Sequence, residues 1–119
     1  MSLVEFRSYQ LHPGSQQKFC QLMQEQSLPL LAADGQQVLF AQATADGSDH
    51  FLLVRAYKDQ AERESSQQRF YNSPAWRQGP RSAILACIIH SHDCLVEFDT
   101  MAFSALDRAF TGPHAYQSN

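Results

Sequence analysis

The hydropathy period of this chain switches back and forth between two and about 3.6 residues, and the order of the switches leaves few folds open. Residues 3–11, LVEFRSYQL, alternate as a strand does, with Val4, Phe6 and Ser8 on one face and Leu3, Glu5, Arg7, Tyr9 and Leu11 on the other. Pro13-Gly14 turns the chain, and from Ser15, a residue suited to capping, Phe19, Leu22, Met23 and Gln26 fall at helical offsets. That helix runs to about Leu28. Pro29 removes an amide there, so residues 30–33 form either a kinked continuation or a separate short turn ending at Asp34-Gly35. Residues 37–45 and 50–57 read as strands joined through Asp46-Gly47, the span to Asp49 predicting a bulge or a longer loop. A second, very polar helix over 60–70 starts at Asp59 and has only Ala61, Phe70, Tyr71 and Trp76 to hold it down. After Gly79-Pro80, residues 83–98 read as one long strand, strongest over 83–89, with a bulge near His92-Asp93.

The resulting order, β-α-β-β-α-β, is that of the α+β ferredoxin-like split unit with an antiparallel sheet. Residues 1–98 make this domain. Residues 99–119 form an extension in which Thr100 caps a short helix, with Phe103, Leu106 and Phe110 on one stripe and Gly112-Pro113 at its end. Nothing beyond Gly112 predicts order of its own.

The chain of 119 residues has a formal net charge of -3 and no run of Lys or Arg, which argues against nucleic acid and anionic membrane as partners. The first residues lack a basic segment followed by a long apolar run, so neither a signal peptide nor a membrane span is predicted. Cys20, Cys87 and Cys94 are an odd set without C-x-x-C spacing, as expected of reduced core or half-buried thiols in a cytoplasmic setting.

Four blocks carry a resemblance: Glu5-x-Arg7-x-Tyr9-x-Leu11-x-Pro13-Gly14, Leu28-Pro29-Leu30-Leu31, Tyr57-x-Asp59-x-Ala61-x-Arg63 and Ser73-Pro74-x-Trp76. Over about residues 4–98 the pattern resembles the NIPSNAP-like family. The resemblance implies a ferredoxin-like subunit whose sheet packs face to face with that of a second copy, a dimeric α/β barrel. It implies no settled reaction. Better-known eukaryotic members look like mitochondria-associated interaction or signalling proteins, while similar folds include cofactor-free monooxygenases, haem-degrading enzymes and isomerases. The Pro-rich finish often seen in the family is replaced here by residues 99–110.

In the split fold the first and third strands are adjacent and antiparallel, so Glu5, Arg7 and Tyr9 share a face with Phe51, Leu53, Arg55 and Tyr57. Val4, Phe6, Leu52, Val54 and Ala56 are then expected as the apolar floor under the helices, with the charged face turned toward a partner sheet. Phe51, Leu53 and Tyr57 would stand uncovered in a monomer, which predicts a homodimer through the sheet faces. Buried charges must be paired or wet, and two readings follow. In one, Glu5 and the arginines form a structural salt-bridge network. In the other, Arg7 and Arg55 hold a small anionic or aromatic ligand beside Tyr9, Tyr57 and Phe51. An open interior volume of about 300 Å³ or more separates the readings. Trp76 is expected to be a buried anchor.

His90-x-His92, by parity with Ile84 and Ile88 on the helix-side rim, makes too few ligands for a metal site, even with His50, Asp93 or Cys87 sketched in. No metal or cofactor is predicted. Hydrolase, NTPase, metalloprotease and dinucleotide motifs do not occur. Two functions remain: a homodimeric binding or regulatory protein, or a cofactor-independent monooxygenase or isomerase acting on a small organic substrate in the same cavity.

Overall fold

In the computed structural model, which describes residues 1–112, strands β1 (Ser2–Leu11), β2 (Gln37–Ala43), β3 (His50–Tyr57) and β4 (Ile88–Phe98) form one antiparallel sheet. Their spatial order is β2-β3-β1-β4, the ferredoxin-like arrangement expected from the sequence. The expectation of no independent order beyond Gly112 falls on residues that lie outside the described ones. Among the described residues, no helix is long and apolar enough to cross a membrane.

The shared face is as predicted, since Glu5 lies opposite Arg55, Arg7 opposite Leu53 and Tyr9 opposite Phe51. The side it occupies is the reverse of the prediction. Tyr9, Leu11, Phe51 and Leu53 pack with Phe19, Met23, Leu31, Phe70, Trp76 and Ile84, so the face bearing the charges lies beneath the helices. Phe51, Leu53 and Tyr57 are accordingly buried within one chain rather than left bare. Val4, Val54 and Ala56, expected under those helices, instead pack with Leu39 on the opposite face, beneath Phe103, Leu106 and Phe110. These three come from α6 (Thr100–Thr111), the helix of the extension, which Asp99 rather than Thr100 caps by accepting from Ala102 N–H. A sheet with two apolar faces needs cover on both.

Of the two alternatives at Pro29 the structure takes the continuation, and the first helical segment runs through the proline. It consists of α1 (Gln16–Leu22), a π-helical turn (Met23–Ser27) and α2 (Leu28–Ala33), in which the Leu28 N–H reaches back to the Met23 carbonyl. The wide turn inserts a residue just ahead of the proline, whose missing N–H a regular helix would have needed. Ser15 stands at the N-cap position, but its side chain makes no capping bond.

In α3 (Gln60–Tyr71) the Asp59 carboxylate accepts from Glu62 N–H at 2.9 Å. Ala61 is exposed and anchors nothing. Phe70 and Tyr71 stack on Trp76 of α4 (Pro74–Arg77), which is the anchor expected of this tryptophan.

Residues 83–87, read as strand, belong to α5 (Arg81–Cys87). A short apolar run fits either period, and burial of Ile84 and Cys87, three residues apart, selects the helix. β4 therefore starts later. Its irregularity lies opposite Gln10 and Leu11, not at His92-Asp93.

Candidate functional site

Polar side chains on the helix-covered face of the sheet join into one network. Glu5 and Arg55 face each other across β1 and β3, and neither side chain is exposed. The Glu5 Oε1 accepts from Arg55 Nε at 2.9 Å and Nη2 at 2.6 Å, while Oε2 accepts from Arg63 Nε at 2.7 Å and Gln67 Nε2 at 2.6 Å. Arg63 and Gln67, one turn apart on α3, therefore share one carboxylate oxygen. The third Arg55 donor, Nη1, reaches the Tyr71 hydroxyl at 2.9 Å. Gln67 continues the chain to the Tyr57 hydroxyl, which itself donates to Gln36 Oε1 at 2.6 Å.

Arg7 stands beside this core and is forked onto Asp93 of β4, Nε to Oδ1 at 2.7 Å and Nη2 to Oδ2 at 3.0 Å. Arg63 Nη2 also donates to Asp93 at 3.2 Å, and Arg7 Nη1 makes a long contact of 3.5 Å to the Tyr71 hydroxyl. Three guanidiniums thus surround two carboxylates, leaving one net positive charge in the cluster.

Burial alone would raise the Glu5 carboxyl, but Arg55, Arg7 and the hydrogen bond from Gln67 outweigh it and hold its pKa below the ordinary value. Asp93 is likewise lowered, with burial offset by the Arg7 hydrogen bond and the Arg7 and Arg63 charges. Burial pushes the Tyr9 phenol up to about 12, aided by Tyr71 and opposed by Arg7 and Arg55, so it remains a neutral O–H donor.

In front of the cluster lies a cavity of about 430 Å³ between sheet and helices. Arg7, Tyr9, Gln67 and Tyr71 supply its polar side, and Met23, Leu31, Leu53, Phe70, Trp76 and Ile84 its apolar walls. The exposed Arg81, Leu85 and Ser91 also line it, which places its mouth at the surface. With two guanidinium groups aimed at its oxygen, Tyr71 keeps its own O–H as a donor. With Nε and Nη2 of Arg7 held by Asp93, a wall of this kind offers the weakly engaged Nη1 and phenol protons to one end of a ligand and a dry slot to the rest.

Of the residues singled out from the sequence, Arg7, Tyr9 and Trp76 line this cavity. Arg55 and Glu5 lie behind it, fully enclosed. Tyr57 borders a separate, largely polar hollow of about 600 Å³ with Gln36, Lys58, Glu62 and Arg69, and Phe51 a third of about 240 Å³ with Cys20 and Leu28. His90 and His92 are exposed and lie with Gln10 and Ser8 on the face that α6 packs against, not on the rim of the face covered by α1 to α5. Asp93, their neighbour, points the other way to Arg7. Cys94 is exposed, whereas Cys20 is half-buried and Cys87 buried. Sequence reasoning missed Arg63, Gln67, Tyr71, Asp93 and Ser27 as members of the site. The available signal was the polarity of α3, a helix with too few apolar residues to sit on anything but a polar face.

The sequence model of the NIPSNAP family matches residues 4–94. The chain belongs to the NIPSNAP family. No curated protein matches the sequence significantly. A NIPSNAP-like domain protein from Burkholderia xenovorans, described as uncharacterized, superposes with a TM-score of 0.76 at 17% identity, covering 83% of this chain and 86% of its own. A NIPSNAP family protein from Agrobacterium tumefaciens gives a TM-score of 0.75 at 17% identity, with 83% and 88% covered. A proposed antibiotic biosynthesis monooxygenase from Bacteriodes thetaiotaomicron gives 0.64 at 14% identity, with 82% and 90% covered. At these identities the likeness is one of fold.

Proposed function

We propose that this NIPSNAP protein is a homodimeric binding protein that takes up a small, mostly apolar organic acid between its sheet and its helices. The observation that carries this reading is the cavity of about 430 Å³, reaching the surface, with Arg7, Tyr9 and Tyr71 on one side and Phe70, Trp76 and aliphatic side chains on the other. The arginines divide the work. Arg55, enclosed and bonded to Glu5 and Tyr71, stiffens the sheet, whereas Arg7, forked onto Asp93 with Nη1 only weakly engaged, is the member of this net positive cluster that lines the cavity with a guanidinium. The acid meets that charge through its carboxylate and leaves its ring or chain against the apolar wall. On this reading residues 1–98 hold the site, and the extension covers the far side of the sheet.

That far face supplies the dimer contact. α6 covers one end of it, and the half-buried Phe6 and Leu52 with the exposed Cys94 and Val96 form an apolar remainder that a second sheet would cover. An interface of this kind should bury more than about 1,200 Å² in total. Sedimentation at micromolar concentration tests it, and particles of 13.5 kDa alone would refute the dimer.

Ligand binding is tested by titrating benzoate, phenylacetate and 3-phenylpropionate calorimetrically against wild type and Arg7→Gln. Binding to wild type that weakens about tenfold or more in the variant supports the reading, since an ionic hydrogen bond contributes about 1.5–3 kcal/mol. Equal affinity for both proteins removes Arg7 from the site.

A second reading, cofactor-independent oxygenation of the bound molecule, is favoured by the aromatic enclosure of Tyr9, Phe70, Tyr71 and Trp76 and by the fold shared with the proposed monooxygenase. Oxygen uptake on adding an electron-rich phenolic acid would support it. Tight binding without uptake leaves the protein a binder.

A further inference from the structure

We propose that Ser27 sets the ligand specificity of the cavity, selecting acids that carry a second oxygen group, a hydroxyl or carbonyl, on their apolar body. The inference rests on the binding reading above and adds the substrate class.

Met23, Ser27 and Leu31 form one stripe along the first helical segment, and all three line the cavity. The π turn brings Phe19 onto nearly the same line as Leu31. In an uninterrupted α-helix, Phe19 and Leu31 would stand about 120° apart, and one inserted residue takes back about 100° of that. The insertion turns Ser27 inward and leaves Gln26, the residue expected there from regular spacing, exposed. π turns of this kind are frequent at functional sites.

Ser27 is 2% exposed, and among the described residues its Oγ is the buried side-chain oxygen or nitrogen without a hydrogen-bond partner. Helical serines ordinarily bond back to the carbonyl four residues earlier. That carbonyl, on Met23, accepts instead from the Leu28 N–H across the wide turn, and the hydroxyl does not use it. An alanine would continue the stripe without an unmet hydroxyl, so the serine is unfavourable for the empty fold. A ligand oxygen beside it removes the penalty. Arg7 on the sheet and Ser27 on the helix both line the cavity, and a ligand that displaces the side chains closing off the Ser27 Oγ meets two separate polar groups.

The test pairs the three acids above with their ring-hydroxylated forms, 4-hydroxybenzoate, 4-hydroxyphenylacetate and 3-(4-hydroxyphenyl)propionate, against wild type and Ser27→Ala. Wild type should bind at least one hydroxylated acid about tenfold or more tightly than its parent. Ser27→Ala should lose that preference, and its urea midpoint should equal or exceed that of wild type. Equal affinity of wild type for hydroxylated and parent acids overturns the role of Ser27 but leaves the acid pocket standing. So does a preference that survives in the variant. A lower midpoint for Ser27→Ala also overturns it, because the hydroxyl then has a structural partner. If no acid of either set binds wild type, the pocket reading fails and this inference fails with it.

Discussion

Replacing Glu5 by Gln is the sharpest test of the buried network. The carboxylate receives four hydrogen bonds between 2.6 and 2.9 Å, two from Arg55, one from Arg63 and one from Gln67. Gln has nearly the same shape but no charge, and half of its head group is a donor facing donors. Arg55 is fully enclosed, so even with the amide oxygen accepting from it the guanidinium would lose its paired negative charge, and the amide nitrogen would face the Arg63 and Gln67 donors. Breaking a buried pair by removing one partner costs about 3–5 kcal/mol, against a typical total stability of about 5–15 kcal/mol. With a urea slope of about 1–3 kcal/mol per molar, the midpoint should fall by about 2 M at fixed protein concentration, read by Trp76 fluorescence and far-ultraviolet dichroism. Arg55→Met should then be less damaging in the Glu5→Gln background than in wild type, with a coupling of about 2 kcal/mol. A drop of less than about 1 kcal/mol with an unchanged slope would show that Arg55 does not depend on Glu5, and the argument for a structural core to the network would fail.

Arg55→Leu should lower the urea midpoint strongly, whereas Arg7→Gln should lower it less and weaken acid binding more; calorimetry beside dichroism checks the contrast, and the reverse pattern would exchange their roles. Trp76→Ala should cost about 3–5 kcal/mol, because the indole packs on Phe70 and Tyr71 beneath the sheet. Acrylamide reaching the indole as readily in native as in unfolded protein would contradict its burial. Glu5 and Asp93 have folded pKa values below their ordinary 4.5 and 3.8, so their contribution is present above those values and lost as pH falls through the lower folded ones. At the alkaline end Tyr9, raised from 10.0 to about 12, contributes stability below pH 10 that is lost as pH climbs toward 12. A urea midpoint that stays level through either window would refute that assignment.

The pairing of faces was legible in the sequence because alternation is a property of single strands, and the split order makes β1 and β3 neighbours. Glu5 opposite Arg55 follows from that alone. Which face the helices cover does not follow, because Val4, Val54 and Ala56 look more like a floor for helices than Glu5, Arg7 and Arg55 do. The decisive information is split between distant segments. Phe103, Leu106 and Phe110 of α6 take the apolar face, and Arg63, Gln67 and Tyr71 of α3 complete the charged one. A helix as polar as α3 is poor cover for an apolar sheet but a good partner for a carboxylate and two arginines. Its composition was therefore the clue.

The cavity lining was less legible, for a local reason. Periodicity assigns residues to a stripe only while the turn width is constant, and Pro29 spoils that constancy by withdrawing an N–H. The strain can be met by a break, a kink or a wide turn, and spacing alone does not choose among them. Packing chooses. The wide turn narrows the spread of Phe19, Met23 and Leu31, which are buried together while the chain continues to Ala33. The same choice places Ser27 between two apolar neighbours on the cavity wall. Ser27, which regular spacing does not single out, becomes the polar residue that this helix contributes to the cavity lining, two residues ahead of the proline that disturbs the turn.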